Sequence, residues 1–573
     1  MHKVFNCLGR RLPATADSNR PPHRSRAARV HTVLTLLAPF LGVIGVGFAS
    51  AWAAPTQTLM VKMSDGTELA TDVYLPEGEG PWPTVVARMA YPRVWADGRA
   101  QGLGQRGYAC VAQDLRGMGG SKGRREAFYT DGWRPGLQDG ADTMAWVKEQ
   151  PWCNGKIATY GESALGISQV SLAPATNLVT CQYIGVAPSN YYHNMAYQGG
   201  VWRKNLAEIW ISAVGQADTM DLYKAHPCYD EYWVYHNAEA KAGDVTAPAV
   251  HVGAWYDIFQ QGTINNFVTR QHQGGPGAKG NQKLVMEWGT HTGDRKFDLK
   301  LDPNRRELDT GQLRNRFLAF WLKGEQNGIM DEPAVYYYTL GDDTDPEAPG
   351  MEWRTANDWP PFPTQETPYY LAPDGLLTRE PGTEPASASF TYDPANPFPT
   401  CGGANLFMTA GPYDQRVVNR RRKDLLEFAS APLPQPIEVT GHVTARLYVS
   451  TDAPDTDFTA KLVDVYPEGD EREILIIDGI RRVKFRNGFE KPAPLLTSAE
   501  EIVALSIDLW STSWVFNTDH RIGLQISSTN YPRFEKNPNT GDDFPDETNL
   551  RIAHNTVHMG DGHPSALLLP VRP

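Results

Sequence analysis

A serine between glycines is the first feature of this sequence that could do chemistry. Ser163 follows a β-type apolar run within Lys156–Gly166 (KIATYGESALG) and precedes a helix-type run. A serine on a sharp strand-to-helix turn presents its hydroxyl for attack on an acyl carbonyl, and its strained dihedrals require small neighbours. Gly161 meets that need two residues earlier, but Leu165 stands two residues later, with Gly166 behind it. The G-x-S-x-G pattern is therefore matched only in part, and the string alone also suits an ordinary turn.

A serine hydroxyl attacks efficiently only when a histidine takes its proton and an acid fixes the histidine's tautomer. Both residues follow apolar strand-type runs: Asp257 ends PAVHVGAWYD and His291 ends KLVMEWGTH. The order Ser, Asp, His is the order that α/β-hydrolases use. Taken singly, Asp257 could cap a helix over residues 258–267, and His291 could be a loop histidine. Taken together, the three placements predict a catalytic triad of Ser163, Asp257 and His291.

Alternating β-type and helix-type runs between residues 56 and 322 must position these side chains. The alternation predicts a largely parallel sheet with helices on both faces, opened by an antiparallel hairpin that turns at Asp65-Gly66. Residues 190–246 are rich in Trp, Tyr and His and interrupt the alternation, which predicts an inserted helical cap over the site. We therefore expect an α/β-hydrolase domain over residues 54–332.

The chain changes character at about residue 333. From there, β-type runs alternate with turns rich in Pro and Gly, and helical periodicity is scarce. This pattern is typical of an all-β sandwich. Residues 333–573 are therefore predicted to form a second domain, in keeping with a chain too long for one hydrophobic core.

The first 53 residues differ from the rest and predict a signal peptide. Basic residues precede an uncharged, largely apolar run over residues 32–51, and Ala51-Trp52-Ala53 fits a signal-peptidase site. An uncleaved membrane anchor is the alternative, because about 20 apolar residues can span a bilayer. Cleavage after Ala53 would give an exported protein, periplasmic or secreted, without a stable membrane span.

Cleavage would also leave five cysteines, an odd number that cannot all pair within the chain. One or two disulfides are plausible in an oxidising compartment. Cys153 and Cys181 stand just before two strands that should be neighbours, which makes them the first candidate pair. The alternative is that all five cysteines are free thiols.

The overall charge and the histidine and cysteine spacing narrow the class of partner. A formal net charge of -12 argues against a nucleic-acid partner, because phosphate binding needs a basic footprint. A Ser-His-Asp mechanism needs no metal or organic cofactor, and the sequence has no H-E-x-x-H or paired-cysteine spacing of metal ligands. The expected partner is a small-molecule ester, amide or short peptide, and the oligomeric state is left open.

Several stretches resemble one known family of α/β-hydrolases. The family contains cocaine esterase, α-amino-acid ester hydrolases, glutaryl acylases and bacterial Xaa-Pro dipeptidyl peptidases, and the resemblance covers essentially everything after the signal segment. The matching stretches are the serine turn, Arg88-Met-Ala-Tyr91, residues 106–117 (RGYACVAQDLRG), 151–155 (PWCNG), 255–257 (WYD) and 392–397 (YDPANP).

The resemblance implies the same triad of Ser163, Asp257 and His291, and it adds two further expectations. The Tyr91 hydroxyl and the backbone N–H of Ala164 would form an oxyanion hole, two donors aimed at the oxygen that becomes negative. The second domain would be a jelly roll (galactose-binding-like) that packs against the catalytic domain and shapes one wall of the cleft. Family members commonly have Tyr after the serine, so Ala164 keeps the N–H but changes the acyl pocket.

The predicted function is a serine hydrolase that cleaves carboxylic esters or amides through an acyl-enzyme intermediate. A Xaa-Pro dipeptidyl peptidase or an α-amino-acid ester hydrolase is the alternative, and either would need carboxylates to hold the substrate ammonium. A noncatalytic glycan-binding protein is a more remote alternative, against which the intact triad argues. The cap offers five candidate carboxylates, although acidic cap residues are more often merely solvated: Glu208, Asp218, Asp221, Asp230 and Glu231.

Overall fold

The computed structural model describes residues 54–125, 128–213, 217–293 and 297–573. The predicted signal peptide over residues 1–53 lies outside these ranges. Within them, no helix combines the length and the apolar composition needed to cross a membrane.

A ten-stranded, mostly parallel sheet organises the first part of the described chain. Its strands are paired in the order β1-β2-β4-β3-β5-β6-β9-β10-β11-β12, and every pair from β4 to β11 is parallel. A separate hairpin is formed by β7 and β8. The strands in chain order are β1 (Gln57–Lys62), β2 (Glu68–Tyr74), β3 (Trp82–Met89), β4 (Ala109–Asp114), β5 (Cys153–Glu162), β6 (Cys181–Gly185), β7 (Tyr197–Gln198), β8 (Val201–Trp202), β9 (Ala249–Tyr256), β10 (Gln282–Thr290), β11 (Val335–Thr339) and β12 (Glu352–Ala356).

Helices cover both faces of this sheet. Thr159 of β5 bonds to Gln169, whereas the next residue, Tyr160, bonds to Arg314; successive strand residues point to opposite faces. The helices that carry Gln169 and Arg314 therefore lie on opposite sides. The α-helices are α1 (Asp97–Gly104), α2 (Asp139–Lys148), α3 (Ala164–Leu172), α4 (Lys204–Ala213), α5 (Ala217–Lys224), α6 (Glu231–Val234), α7 (Gln260–Gln273), α8 (Thr310–Lys323) and α9 (Arg416–Asn419). The 3₁₀ turns are Arg93–Ala96, Ala173–Ala175, Glu239–Asp244, Pro303–Arg306, Ile329–Asp331, Pro373–Gly375 and Val483–Phe485.

The predicted insertion over residues 190–246 lies between β6 and β9. It contains a π-helical turn (Tyr192–Ala196), the β7–β8 hairpin and the helices α4, α5 and α6. Large aromatic side chains form its interior, and several of them are fully buried: Tyr192, Tyr197, Trp202, Tyr223 and Trp233. Aromatic burial of this extent gives a short, irregular insertion a core of its own.

The second sheet has eleven strands and forms the β-sandwich domain that the sequence predicts. Long alternating runs such as β17 bury one face and leave the other partly exposed, which is the pattern of a sandwich strand. The strands are β13 (Gln365–Ala372), β14 (Leu376–Thr378), β15 (Ala386–Tyr392), β16 (Leu426–Ala429), β17 (Ile437–Thr451), β18 (Asp457–Val465), β19 (Glu473–Arg482), β20 (Val503–Phe516), β21 (Arg521–Ser527), β22 (Ala553–Met559) and β23 (Ala566–Val571). The predicted fold class, an α/β-hydrolase domain followed by an all-β domain, is confirmed.

The two sheets share one hydrophobic core. A single cluster of buried side chains runs from Trp255 and Tyr338 in the first sheet to Trp514 in the second. Leu340, just after β11, also bridges to Trp514 of β20. The strands β11 and β12 extend the first sheet although they follow the predicted domain boundary at 332–333, which remains a prediction.

The predicted Cys153–Cys181 disulfide is wrong. Cys153 and Cys181 begin the neighbouring strands β5 and β6, but the residue opposite Cys181 is Ala158. Cys153 is thus five residues out of register, roughly 16 Å along the strand. A disulfide needs Cα atoms within about 7 Å of each other. The five cysteines of the described residues are all free thiols.

Candidate active site

Ser163 occupies a strained turn between β5 and α3. Its backbone has φ 55° and ψ -123°, a conformation that L residues other than glycine rarely adopt. The Ser163 carbonyl accepts the first bond of the helix, from the Ile167 N–H at 2.8 Å. Strain of this kind persists where the surrounding structure imposes it, and here it turns the serine out of the sheet.

The displaced second glycine has a packing explanation. A Cβ on Gly161 would lie 2.3 Å from the Cβ of Leu165, so the leucine requires the glycine before the serine. A Cβ on Gly166 would lie 2.8 Å from both the Gly185 carbonyl oxygen and the Ala187 Cβ. Gly166 therefore allows α3 to pack closely on β6, a role that the motif spacing did not indicate.

The three predicted triad residues are joined by hydrogen bonds. His291 Nε2 lies 2.8 Å from Ser163 Oγ, and His291 Nδ1 lies 2.5 Å from Asp257 Oδ2. With Nδ1 protonated and donating to the carboxylate, Nε2 accepts from the serine hydroxyl. Asp257 and His291 directly follow the adjacent parallel strands β9 and β10, whose carboxyl ends meet at one edge of the sheet. This edge is where such folds place their reactive residues.

The Asp257 carboxylate is fully buried and held from two sides. Its Oδ1 accepts from the Phe259 N–H at 2.6 Å, while Oδ2 bonds to His291. The Phe259 ring contacts the His291 ring edge-on at 5.5 Å. The helix α7 begins at Gln260 with Phe259 as its N-cap, so Asp257 does not occupy the N-cap position. The two oxygens of the Asp257 carboxylate thus bond to the His291 imidazole and to a backbone N–H of the turn that follows.

Tyr91 and Ala164, the two predicted oxyanion donors, lie at ends of regular elements. Ala164 is the first residue of α3, where backbone N–H groups have no intrahelical acceptor. Tyr91 follows β3, and its phenol oxygen accepts a hydrogen bond from Trp210 Nε1 at 3.1 Å. Burial raises the pKa of Tyr91, an effect that the Trp210 bond partly opposes. The phenol therefore stays protonated near neutral pH and keeps its O–H as a donor.

Phe128 and two side chains of the cap form an aromatic wall beside Tyr91 that the sequence did not assign. Trp210 of α4 stacks on Phe128 at 5.9 Å, and Phe128 contacts Tyr191 at 6.1 Å. All three side chains are buried. The richness of the cap in Trp and Tyr was the available signal, but nothing in the spacing told which tryptophan reaches the catalytic edge.

The β-sandwich contacts both loops that carry the triad partners. Tyr256 Oη donates to the Leu475 carbonyl at 2.8 Å, and Gln260 Nε2 bonds to the Ser511 carbonyl. After His291, Asp298 Oδ2 accepts from the Asp414 N–H at 3.0 Å. The second domain therefore braces the segments next to Asp257 and His291.

Ion pairs engage three of the five candidate cap carboxylates. Glu208 pairs with Lys224 at 2.8 Å and with Lys204 at 3.2 Å. Asp218 lies 3.6 Å from Arg124. Asp230 bonds to His226 at 2.6 Å and caps the N-terminus of α6. Asp221 and Glu231 are exposed on the cap surface. Three of the candidates thus already have a basic side chain of the same chain as a partner.

In residues 54–125, 128–213, 217–293 and 297–573, no three His, Cys, Asp or Glu side chains are grouped so that they could hold a metal ion.

Comparisons with known proteins identify the family. The family model described as X-Pro dipeptidyl-peptidase (S15 family) matches residues 65–223 and 213–293, and the X-Pro dipeptidyl-peptidase C-terminal non-catalytic domain matches residues 327–568. The chain is 32% identical to cocaine esterase of Rhodococcus sp. (strain MB1 Bresler), over 90% of this chain and 98% of the relative.

Solved structures share the fold at lower identity. An aminopeptidase from a marine sediment Thaumarchaeota archaeon superimposes with a TM-score of 0.76 at 22% identity, covering 92% of this chain and 98% of the other. An α-amino acid ester hydrolase superimposes with a TM-score of 0.75 at 22% identity, covering 93% and 99%. These structures have the same two-domain architecture as this chain.

Proposed function

The chain belongs to the serine hydrolase family of cocaine esterase, α-amino-acid ester hydrolases and X-Pro dipeptidyl-peptidases, and from that membership we propose how this serine ester hydrolase works. Ser163 is the nucleophile, His291 the general base and Asp257 its orienting acid. The observation that carries the proposal is the unbroken hydrogen-bonded series from Asp257 through His291 to Ser163, at 2.5 and 2.8 Å. An enzymatic role leaves the noncatalytic glycan-binding alternative without support.

Acylation follows from these contacts. His291 Nε2 takes the proton of Ser163 Oγ as that oxygen bonds to the acyl carbon, and Asp257 stabilises the resulting imidazolium. The Tyr91 hydroxyl and the Ala164 N–H donate to the oxygen that becomes negative. The tetrahedral intermediate then collapses, the bond between the acyl carbon and the leaving group breaks, His291 donates its proton to the departing group, and an ester of Ser163 remains.

Deacylation repeats these steps with water as the nucleophile. His291 accepts a proton from water, and the oxygen of that water attacks the acyl carbon under the same two donors. Collapse of the tetrahedral intermediate breaks the bond to Ser163 Oγ, which regains its proton from His291. The products are a carboxylic acid and the free enzyme.

Carboxylic esters or amides are the proposed substrates, ahead of Xaa-Pro dipeptides and α-amino esters. Binding of a substrate ammonium needs a carboxylate that lacks a cation of its own. Three of the five cap candidates, Glu208, Asp218 and Asp230, have a basic partner within 3.6 Å. The other two, Asp221 and Glu231, are exposed on the cap surface. The buried Phe128, Tyr191 and Trp210 rings instead make the surroundings of Tyr91 apolar, which favours an uncharged acyl group over an ammonium.

The test compares two chromogenic substrates on the same preparation. We expect fast release of p-nitrophenol from an acyl ester, with a burst of one equivalent per Ser163, and slow cleavage of a Gly-Pro anilide. Predominant anilide cleavage would reverse the order of the two substrate classes. Absence of both activities in a folded protein would overturn the proposed function.

We also propose that the protein is exported. The support is the basic and then apolar sequence of residues 1–53, which ends in Ala51-Trp52-Ala53. Mass spectrometry of protein recovered from a bacterial culture should find a mature chain that begins near Ala54 outside the cytoplasm, whereas an intact terminus in the cytoplasmic fraction would contradict export.

A further inference from the structure

We propose that a pocket between α1 and α8 binds a small organic carboxylate. The pocket has a volume of about 190 Å³ and lies on the face of the sheet opposite the nucleophile helix α3. The apolar and aromatic side chains of its wall are Leu103, Tyr160 and Leu318. Three arginines contribute guanidinium groups to the same pocket, namely Arg99, Arg106 and Arg314. None of these residues belongs to the proposed catalytic set.

The charge of the three arginines is only partly balanced. Arg99 pairs with Glu162 at 3.2 Å. Arg106 donates to the Gly102 carbonyl at 2.7 Å, and Arg314 donates to the Tyr160 hydroxyl at 3.1 Å. Among the residues that the structure describes, no carboxylate lies within 4.0 Å of Arg106 or Arg314. Two positive charges therefore face one pocket in a chain whose formal net charge is -12.

Aromatic rings hold the guanidinium groups without neutralising them. Arg99 and Arg314 lie 5.0 and 5.2 Å from the Tyr160 ring centroid, and Arg314 also lies 5.6 Å from the Tyr183 ring. Cation–π contacts fix a guanidinium plane while its N–H donors keep their charge. Both tyrosine rings are buried, so the arginines have a rigid support.

The pocket's composition indicates the class of ligand. Guanidinium groups recognise carboxylates through paired N–H donors. The Leu103 and Leu318 side chains, together with the Tyr160 ring, offer apolar surface to the rest of such a molecule. Drug-sized ligands need about 300–1,000 Å³, so 190 Å³ suits a smaller molecule. A carboxylate on a single ring or a short branched chain would pair with the arginines through its charge and pack its apolar part against the wall.

Calorimetric titration with benzoate tests the proposal. The protein is first inactivated with a fluorophosphonate, so that benzoate cannot occupy the proposed acyl site. We expect one benzoate per chain. Arg106→Gln and Arg314→Gln should each weaken binding about tenfold or more, because each removes a charge-assisted donor. Arg379→Gln is the matched control, since Arg379 also lies over a tyrosine ring, Tyr369 at 4.8 Å, but lines none of these walls.

Neutral and inorganic probes sharpen the result. Benzamide, which has the ring without the charge, should not bind measurably. Inorganic phosphate should bind more weakly than benzoate, because it makes no use of the apolar wall. Equal binding of phosphate and benzoate would refute the assignment to organic carboxylates. Absence of benzoate binding, or binding unchanged in both arginine variants, would overturn the site itself.

Two features keep this test decisive. The Arg106 side chain is exposed and its guanidinium donates to the Gly102 carbonyl of α1, so Arg106→Gln should fold even if Arg314→Gln does not. If the fluorophosphonate failed to react, the proposed function would fail, but the titration could still be run on untreated protein. The arginine-dependent binding would then be judged by the same variants.

Discussion

Replacement of Tyr91 by Phe gives a sharp prediction because it removes one oxygen and keeps the ring. The proposed oxyanion hole has two donors, the Tyr91 hydroxyl and the Ala164 N–H at the start of α3. The loss of one such donor typically lowers kcat about 10²–10³-fold, equivalent to about 2.7–4 kcal/mol of transition-state stabilisation. We expect Tyr91→Phe to fall within this range, with a much smaller change in KM.

Trp210→Phe tests the hydrogen bond that holds the Tyr91 hydroxyl, while it leaves that hydroxyl in place. Trp210 Nε1 donates to the Tyr91 oxygen at 3.1 Å and has no proposed contact with the reacting atoms. A neutral hydrogen bond contributes about 1 kcal/mol, so we expect Trp210→Phe to lower kcat roughly fivefold. The two variants should therefore differ by at least about tenfold.

The assay is steady-state hydrolysis of a p-nitrophenyl acyl ester, with thermal unfolding of each variant as the control for folding. If Tyr91→Phe unfolds near the wild-type temperature and keeps kcat within about threefold of wild type, Tyr91 does not stabilise the oxyanion. An equal loss in Tyr91→Phe and Trp210→Phe would instead assign both residues to the shape of the pocket.

Three other predictions concern orientation, pH and redox state. Asp257→Asn should lower kcat about 10⁴-fold, because the amide favours the wrong tautomer of His291; a loss below tenfold in the ester assay would contradict the role of Asp257. Burial alone lowers the pKa of His520, but its bonds to Asp342 and Asp464 raise it to about 9. The stabilisation that His520 contributes is complete below its unfolded-state pKa of about 6.5 and is lost as pH rises through its folded-state pKa of about 9. Between about pH 7 and pH 10, the unfolding temperature of wild type should therefore fall more steeply than that of His520→Gln. Parallel curves for the two proteins would refute this. A reductant should leave the unfolding temperature unchanged, because the described cysteines are free thiols; a drop would indicate a disulfide.

The sequence predicted the arrangement of the candidate triad because strand ends are readable from local pattern. Asp257 and His291 each end an apolar run, and parallel strands bring their carboxyl ends to one edge. The fold class followed from the same alternation. The register between strands is not local, so the position of Cys153 and Cys181 before neighbouring strands could not show that Ala158, and not Cys153, stands opposite Cys181.

Contacts made by irregular segments could not be predicted from the sequence. The Trp210 bond to Tyr91 depends on how the cap folds back over β3, and no periodicity encodes that path. The role of Gly166 required the distance between α3 and β6. The carboxylate pocket depends likewise on Arg106 and Arg314, which are 208 residues apart in sequence and meet only because α1 and α8 cover one face of the sheet.

Covalent labelling of the protein with a fluorophosphonate tests the central claim most directly. Intact-mass and peptide mapping should find one adduct per chain, on Ser163, that is lost in Ser163→Ala. The matched control is Ser168→Ala, since Ser168 is buried on α3 and bonds to the Leu165 carbonyl at 3.0 Å; it should retain the adduct. An adduct that persists in Ser163→Ala, or folded protein that takes up no label, would contradict the account of Ser163 as the nucleophile.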